Sequence, residues 1–172
     1  MTSSVSAYTY ILGVKSLRRY YFKNHYYFLT VVSYQRKPIL IDNIDLFWES
    51  WRDIKLEAWV VLPDHFHVIL NSKNKGISNI IHQFKRRYSW YYNRFIQKGR
   101  VWQNRYWDHI IRNQEDLNRH IDYIHYNPVK HKIIDDPFLY KHSSLIKYFE
   151  NGFYPRDWGN DYDYDKDFDF GE

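Results

Sequence analysis

The chain has 172 residues, enough for one compact domain with its own core, and 44% hydrophobic residues exclude a disordered chain. The lack of cysteine excludes disulfides, thiolate catalysis and cysteine zinc sites, and no apolar run approaches the ~20 residues of a membrane span. We find no secretory signal at the start of the chain, and therefore expect an intracellular, cytoplasmic protein.

The net charge of +5 is unevenly distributed. Residues 157–172 hold seven acids and one lysine, whereas residues 65–107 hold nine lysines and arginines and no acid. A basic body favours a polyanion as partner, and the many aromatic residues offer flat faces on which bases stack. The alternative is a solvated surface with a chance bias.

The acidic residues at the end of the chain predict a flexible tail, 157–172, after a single domain of residues 1–156. Residues 1–17 are weakly patterned and are expected to be partly mobile. If the tail competes with a nucleic acid for the basic body, removal of residues 159–172 should raise nucleic-acid affinity, most strongly at low salt.

The first predicted elements are a strand, a helix and a hairpin. Residues 20–34 are rich in aromatic and β-branched residues and predict a long strand. Residues 43–51 have helical spacing of apolar side chains, with Asp42 or Asn43 as N-cap. Residues 56–62 and 65–71 predict the two arms of a hairpin around a Pro-Asp turn.

The second half of the chain predicts a long helix, a strand and two more helices. Residues 77–95 form the long helix, with this apolar stripe: Ile77, Ile80, Ile81, Phe84, Tyr88, Tyr91 and Phe95. A strand at 101–112, a helix from the Asn113 cap that stops at Pro128, and a short helix at 143–149 follow. This order favours an α+β fold, a ferredoxin-like antiparallel sheet with helices on one face.

Two histidines in the hairpin form the first candidate site. His65 and His67 lie two residues apart in a predicted strand, so their side chains point the same way. Two neutral imidazoles on one face can hold a metal ion, and His109, in the later strand, could also reach it. Histidines with this spacing also occur as packing or surface residues, and the spacing alone leaves both interpretations open.

Tyr123 and Asn127 form the second candidate site. They are four residues apart on a predicted helix and share one of its faces. A tyrosine on a rigid helix can attack phosphorus if a divalent cation favours its phenolate, because an unperturbed phenol has a pKa of about 10. The Asn127 amide would add an oxygen ligand. Most of the 18 tyrosines must be core or surface residues, so spacing alone does not single out Tyr123.

Three segments resemble the REP-associated tyrosine transposases, a single-tyrosine family of the HUH class. His65-Phe66-His67 resembles the HUH motif, in which two histidines flank a bulky apolar residue. Residues 122–131, with the sequence DYIHYNPVKH, resemble the family's catalytic tyrosine segment. Residues 59–67, which include the histidine motif, and residues 102–109 also resemble the family, in the expected order. One departure is Lys132, where many members have glycine, and this affects a turn more than the chemistry.

The resemblance implies an HUH endonuclease fold and a metal-dependent nickase and strand transferase, a transposase acting on single-stranded DNA. Tyr123 would attack the scissile phosphodiester, form a 5′-phosphotyrosine link and free a 3′-OH. His65, His67 and Asn127 would hold Mg²⁺ or Mn²⁺.

The resemblance also implies a partner and a setting. The substrate would be hairpin DNA from repetitive extragenic palindromes, and the protein a monomer or homodimer in the bacterial cytoplasm, associated with the nucleoid and with no membrane. His109 and His120 are candidates for support of the active site. The candidate phosphate-binding residues are Lys85, Arg86, Arg87, Arg94, Lys98, Arg100 and Arg105.

Two other functions stay compatible with these residues. A DNA- or RNA-binding module on the same sheet would bind without regard to metal and would cut no strand. A metal-dependent hydrolase that uses water would cut DNA and leave no protein–DNA adduct.

Overall fold

The sheet at the centre of the fold has four antiparallel strands in the order β2–β3–β1–β4. In chain order these are β1 (Tyr26–Val32), β2 (Leu56–Val61), β3 (His65–Asn71) and β4 (Trp107–Ile110). The structure is a computed structural model that describes residues 25–52, 54–73, 75–159 and 170. The predicted ferredoxin-like antiparallel sheet is confirmed within these residues, and the part of the first strand predicted at 20–24 lies outside them.

Four α-helices accompany the sheet in the described part of the chain. They are α1 (Ile44–Trp51), α2 (Ile77–Phe95), α3 (Gln114–Lys130) and α4 (Leu145–Glu150). Asn113 caps α3, since its side-chain oxygen accepts a hydrogen bond from the Asp116 backbone N–H at 2.9 Å. None of these helices is long and apolar enough to cross a membrane.

Helices cover both faces of the sheet, whereas the sequence favoured cover on one face. Phe66 and Val68 of β3 pack into the cluster that includes α1 and α2, while Phe28 of β1 and Ile69 of β3 pack into the cluster that includes α3. The reason is that β1 and β3 are central strands with apolar side chains on both faces. α3 therefore lies on the face of the sheet opposite α1 and α2.

The β1–β3 register places the histidine pair at a fixed point of the sheet. Val32 lies opposite His65, and Thr30 lies opposite His67. The strand alternation that buries Phe66 on the α1–α2 side points His65 and His67 to the α3 side. The hairpin turn is closed by the Leu62 N–H, which donates to the His65 carbonyl at 2.8 Å.

The strand predicted at 101–112 is much shorter in the structure. β4 covers Trp107–Ile110, and Trp102 forms only an isolated bridge with Ser33. The segment between them runs over α2, where the Lys85 ammonium donates to the carbonyls of Gln103 and Arg105 at 2.9 and 3.1 Å. These carbonyls are therefore satisfied by a side chain rather than by a neighbouring strand.

Two helix details also differ from the sequence expectation. α3 continues through Pro128 to Lys130, and the end of the helix beyond the proline is held by the His131 N–H, which donates to the Asn127 carbonyl at 3.0 Å. In α2, Tyr92 is buried in place of the predicted Tyr91, and Phe95 is exposed at the helix end. Most of the predicted acidic tail lies outside the described residues.

Candidate active site

Thr30 and His67 form a hydrogen-bonded pair across neighbouring strands. His67 is fully buried, and its Nδ1 lies 2.9 Å from the Thr30 hydroxyl. That hydroxyl donates its one proton to the Phe170 carbonyl at 2.7 Å. It must therefore accept from His67 Nδ1–H, which leaves the lone pair of the neutral ring on Nε2. Nε2 is thus the nitrogen that His67 would offer to a metal ion.

His65 has the same orientation, with a carboxylate as partner. Its Nδ1 lies 2.6 Å from the Asp64 carboxylate, and the His65 and His67 ring centroids are 5.1 Å apart. Partial burial raises the pKa of Asp64, but hydrogen bonds and charge from His65 and Arg36 outweigh this, so its pKa lies below the ordinary value. An ionised Asp64 accepts from Nδ1–H and leaves the lone pair of the His65 ring on Nε2, the nitrogen that His65 would offer to a metal ion.

The ring of Tyr123 packs against the ring of His67. Tyr123 is 1% exposed, and its ring centroid lies 5.2 Å from that of His67 and 5.9 Å from that of Phe28. Its hydroxyl accepts a hydrogen bond from the Lys130 ammonium at 3.0 Å. The predicted nucleophile and one predicted metal ligand are therefore in contact in the folded chain.

Asn127 lies one helical turn beyond Tyr123 and is fully buried. Its backbone carbonyl accepts from the His131 N–H at 3.0 Å, and the His131 ring lies 4.9 Å from the His65 ring. Two imidazole nitrogens with fixed tautomers and a buried amide are a donor set that fits a divalent metal ion. The sequence offered no signal for His131 beside His65, since this contact depends on how α3 ends.

Phe170, in the predicted tail, lies on the candidate nucleophile. Its ring stacks on that of Tyr123 at 3.6 Å and 7°, and it is 5% exposed. It also lies 5.2 Å from the His120 ring. An alternation of acids and aromatics gave no reason to expect one of these aromatics in the site.

His109 and His120 meet each other rather than the histidine pair. Their rings stack at 4.5 Å, and His109 Nε2 lies 2.9 Å from the Asp116 carboxylate. The ligand atoms of His109, Asp116 and His120 lie within 4.8 Å of one another, a group that could hold a metal ion. The ring of Phe28 contacts His67 on one side and His120 on another, at 5.5 and 4.8 Å.

Burial sets the charge of His120 in this second cluster, and hydrogen bonds and charge set that of Asp116. Burial lowers the pKa of His120 to about 4, against the hydrogen bond to the Asp116 backbone carbonyl, which raises it. Burial raises the pKa of Asp116, but His109 and the Arg112 N–H outweigh this and lower it overall. At neutral pH, His120 is therefore uncharged beside an ionised carboxylate.

The predicted phosphate-binding residues divide into two groups. Lys85, Arg87 and Arg100 donate to backbone carbonyls of the protein itself. The others are exposed: Arg86, Arg94, Lys98 and Arg105. α2, which carries Arg86 and Arg94, packs on the face of the sheet opposite Tyr123, so these two residues are not part of the Tyr123 cluster.

Exposed aromatics accompany the basic residues at the end of α2. Trp90 and Phe95 are 56% and 64% exposed, and the Arg94 guanidinium lies 5.7 Å from each ring centroid. An exposed cation beside flat exposed rings is a surface typical of single-strand binding.

Known proteins resemble this chain over most of its length. Residues 21–127 match the family model described as "Transposase IS200 like". A REP-associated tyrosine transposase of Escherichia coli K12 is 33% identical over 90% of this chain and 95% of its own length. A Haemophilus influenzae protein with the same family name is 33% identical over 87% of this chain and 96% of its own length.

A solved structure resembles the whole fold. It is a REP-associated tyrosine transposase bound to a REP hairpin, with a TM-score of 0.80 and 31% sequence identity. The match covers 92% of this chain and 98% of that one.

Proposed function

Because this chain belongs to the IS200-like transposase family, and within it to the REP-associated tyrosine transposases, we propose that Tyr123 is the nucleophile with which it cuts DNA. The protein is a transposase, an enzyme that cuts and transfers DNA strands. The observation that carries the assignment to Tyr123 is the contact of its ring with His67, at 5.2 Å. The tyrosine thus lies beside a histidine whose Nε2 carries the lone pair that a metal ion would bind.

Family members generally depend on a divalent metal, and His65, His67 and Asn127 are the residues that would hold it here. We assign Mg²⁺ or Mn²⁺ to this site. When bound, the ion would polarise a phosphate oxygen and neutralise charge that develops on it. Asp64 and Thr30 keep both imidazoles in the required tautomer, and the packed α3 holds Tyr123 still.

The chemistry is a transesterification. The Tyr123 oxygen forms a bond to phosphorus, and the bond from phosphorus to the 3′ oxygen of the upstream strand breaks. The products are a 5′-phosphotyrosine link and a free 3′-OH, which can later attack the link and rejoin DNA. Because one phosphoester replaces another, the step needs no nucleoside triphosphate.

The substrate we propose is single-stranded DNA next to a REP-like hairpin. The structural relative is bound to such a hairpin, and residues 65–107 of this chain carry nine basic residues without an acid. The exposed Arg86, Arg94, Lys98 and Arg105 supply cations for the phosphates.

The test compares the wild-type protein with Tyr123→Phe on labelled hairpin DNA, with Mn²⁺ and with EDTA. The variant lacks one oxygen and keeps the buried ring, so it should bind DNA as the wild type does and cut none. Cleavage by the variant would exclude Tyr123 as the nucleophile, and unchanged cleavage in EDTA would exclude the metal.

A further inference from the structure

Lys130 reaches the candidate nucleophile through its side chain. Its ammonium donates to the Tyr123 hydroxyl at 3.0 Å and lies 4.8 Å from the centroid of the tyrosine ring. Lys130 is partly buried, and Tyr123 is almost fully buried, so water screens this contact less than it would at the surface. A positive charge therefore touches the oxygen that would become bonded to phosphorus.

The path of α3 makes this contact possible. Lys130 follows Tyr123 by seven residues, two turns along the same face of the helix, with Asn127 between them. It reaches that position only because α3 continues through Pro128, where the sequence predicted a stop. Lys130 is also in the last turn, where the helix dipole favours a cation.

We infer that Lys130 is a catalytic residue, whose ammonium stabilises the negative charge on the Tyr123 oxygen during attack and during rejoining. This role rests on the proposed function, since it requires Tyr123 to be the nucleophile. The ammonium already donates to the oxygen before the reaction, and a hydrogen bond to a charged oxygen is stronger than one to a neutral hydroxyl. The transition state is therefore favoured over the ground state.

The protons and electrons of the step balance without Lys130 as a base. The Tyr123 oxygen supplies the electron pair for the new bond to phosphorus, and the departing 3′ oxygen keeps the pair of the bond that breaks. The phenol proton passes to water, because an ammonium has three donors and no acceptor. The 3′ oxygen takes its proton from water, and the reverse step uses the same path.

Two other roles of Lys130 give different results. If its ammonium bound a DNA phosphate, its removal would weaken binding and lower the dependence of affinity on salt. If it only supported the end of α3, its removal would lower thermal stability while a folded sample kept its cleavage rate. Neither role predicts slower cleavage at unchanged affinity.

The experiment measures single-turnover adduct formation at saturating hairpin DNA and Mn²⁺, together with DNA affinity at several salt concentrations. Lys130→Met and Lys130→Gln remove the charge, and Lys130→Arg keeps it. Lys132→Met, which removes an exposed cation two residues away, is the matched control. Rejoining is measured on the preformed adduct by addition of DNA with a free 3′-OH.

The result expected is a loss of about 10- to 100-fold in the rates of cleavage and rejoining for both neutral variants, the effect of losing one charged hydrogen bond. DNA affinity and its salt dependence should stay unchanged, Lys130→Arg should recover much of the rate, and Lys132→Met should match the wild type. Folding is checked by thermal unfolding, and Lys130→Gln replaces Lys130→Met if the latter unfolds.

Wild-type rates in folded neutral variants would overturn the role of Lys130, as would a rate loss that higher DNA concentrations restore. Tyr123→Phe in the same assay tests the proposed function separately. Adduct formation by Tyr123→Phe would overturn the nucleophile itself, whereas an inactive Tyr123→Phe beside a fully active Lys130→Met would overturn only the inference about Lys130.

Discussion

The rings of Tyr123 and Phe170 lie parallel, with their centroids 3.6 Å apart and their planes within 7°. The Phe170 carbonyl also accepts the hydrogen bond from Thr30, the residue that orients His67. Phe170, near the end of the chain, thus contacts both the candidate nucleophile Tyr123 and Thr30, the residue that orients the candidate metal ligand His67. Scissile DNA that approaches this face of Tyr123 must displace Phe170.

Phe170→Ala should raise the rate of hairpin cleavage by about 10- to 100-fold. Burial of a phenylalanine side chain contributes ~1.5–3 kcal/mol, and this is the free energy that DNA must overcome to displace the ring. The measurement is the single-turnover rate at subsaturating DNA. Phe153→Ala, which removes an exposed ring, is the control and should leave the rate unchanged. A slower Phe170→Ala would mean that Phe170 assists the reaction rather than covers its nucleophile.

Thr30→Val should weaken the binding of the catalytic metal. The substitution keeps the shape of the side chain but removes the acceptor for His67 Nδ1–H, so the ring loses the bond that fixes its tautomer. We expect the Mn²⁺ concentration for half-maximal cleavage to rise by about 10-fold or more. Thr30→Ser keeps the hydroxyl and should stay near the wild type. An unchanged Mn²⁺ requirement in Thr30→Val would contradict the orientation assigned to His67.

Arg94→Gln should weaken hairpin binding without slowing cleavage at saturating DNA. Arg94 lies on α2, beside Trp90 and Phe95 and away from Tyr123. Loss of one phosphate contact should reduce the slope of log affinity against log salt by about 0.7–0.9. Lys147→Gln removes an exposed cation from α4, which packs on the other face of the sheet, and is the charge-matched control. Equal effects of the two variants would indicate general electrostatic attraction rather than a contact at Arg94.

Acid should destabilise the fold through His120. Burial lowers its pKa in the folded state to about 4, with Arg119 and His109 adding to the shift and Asp116 opposing it. Below the ordinary pKa of 6.5 the unfolded chain binds a proton that the folded chain does not, so stability is present above pH 6.5 and falls as pH decreases toward 4.

The His120 contribution to this loss should be about 2 kcal/mol of unfolding free energy between pH 7 and pH 5. Denaturant unfolding at the two pH values measures it, with His120→Gln as the comparison. The variant should be less stable at pH 7 and should lose less stability on acidification. An equal loss in both proteins would show that His120 is not the titrating group.

The sequence predicted correctly which candidate site residues share one face of a single strand or helix. Alternation along a strand placed His65 and His67 on one face, and helical spacing placed Tyr123 and Asn127 together, because both patterns depend only on nearby backbone. The family resemblance then identified the chemistry. The histidine pair and the tyrosine meet in the structure, although they are distant in the sequence.

The residues that sequence analysis missed come from distant segments or from helix ends. Thr30 reaches His67 only through the β1–β3 register, and Phe170 comes to Tyr123 and Thr30 from near the end of the chain. Lys130 could not be placed because proline two residues earlier predicted that α3 had already ended. Helices on both faces were also missed, since the alternation of apolar residues on β1 and β3 is hidden when both faces are buried.

Cleavage by the proposed mechanism joins Tyr123 to the 5′ end of the cut strand. The most direct test mixes the protein and Mn²⁺ with single-stranded hairpin DNA labelled at either its 5′ or its 3′ end, followed by a denaturing gel and peptide mapping. We expect the 3′ label to move with the protein on a peptide containing Tyr123, while the 5′ label stays on a free fragment. A 5′ label on the protein, or cleavage with no adduct at all, would contradict this mechanism.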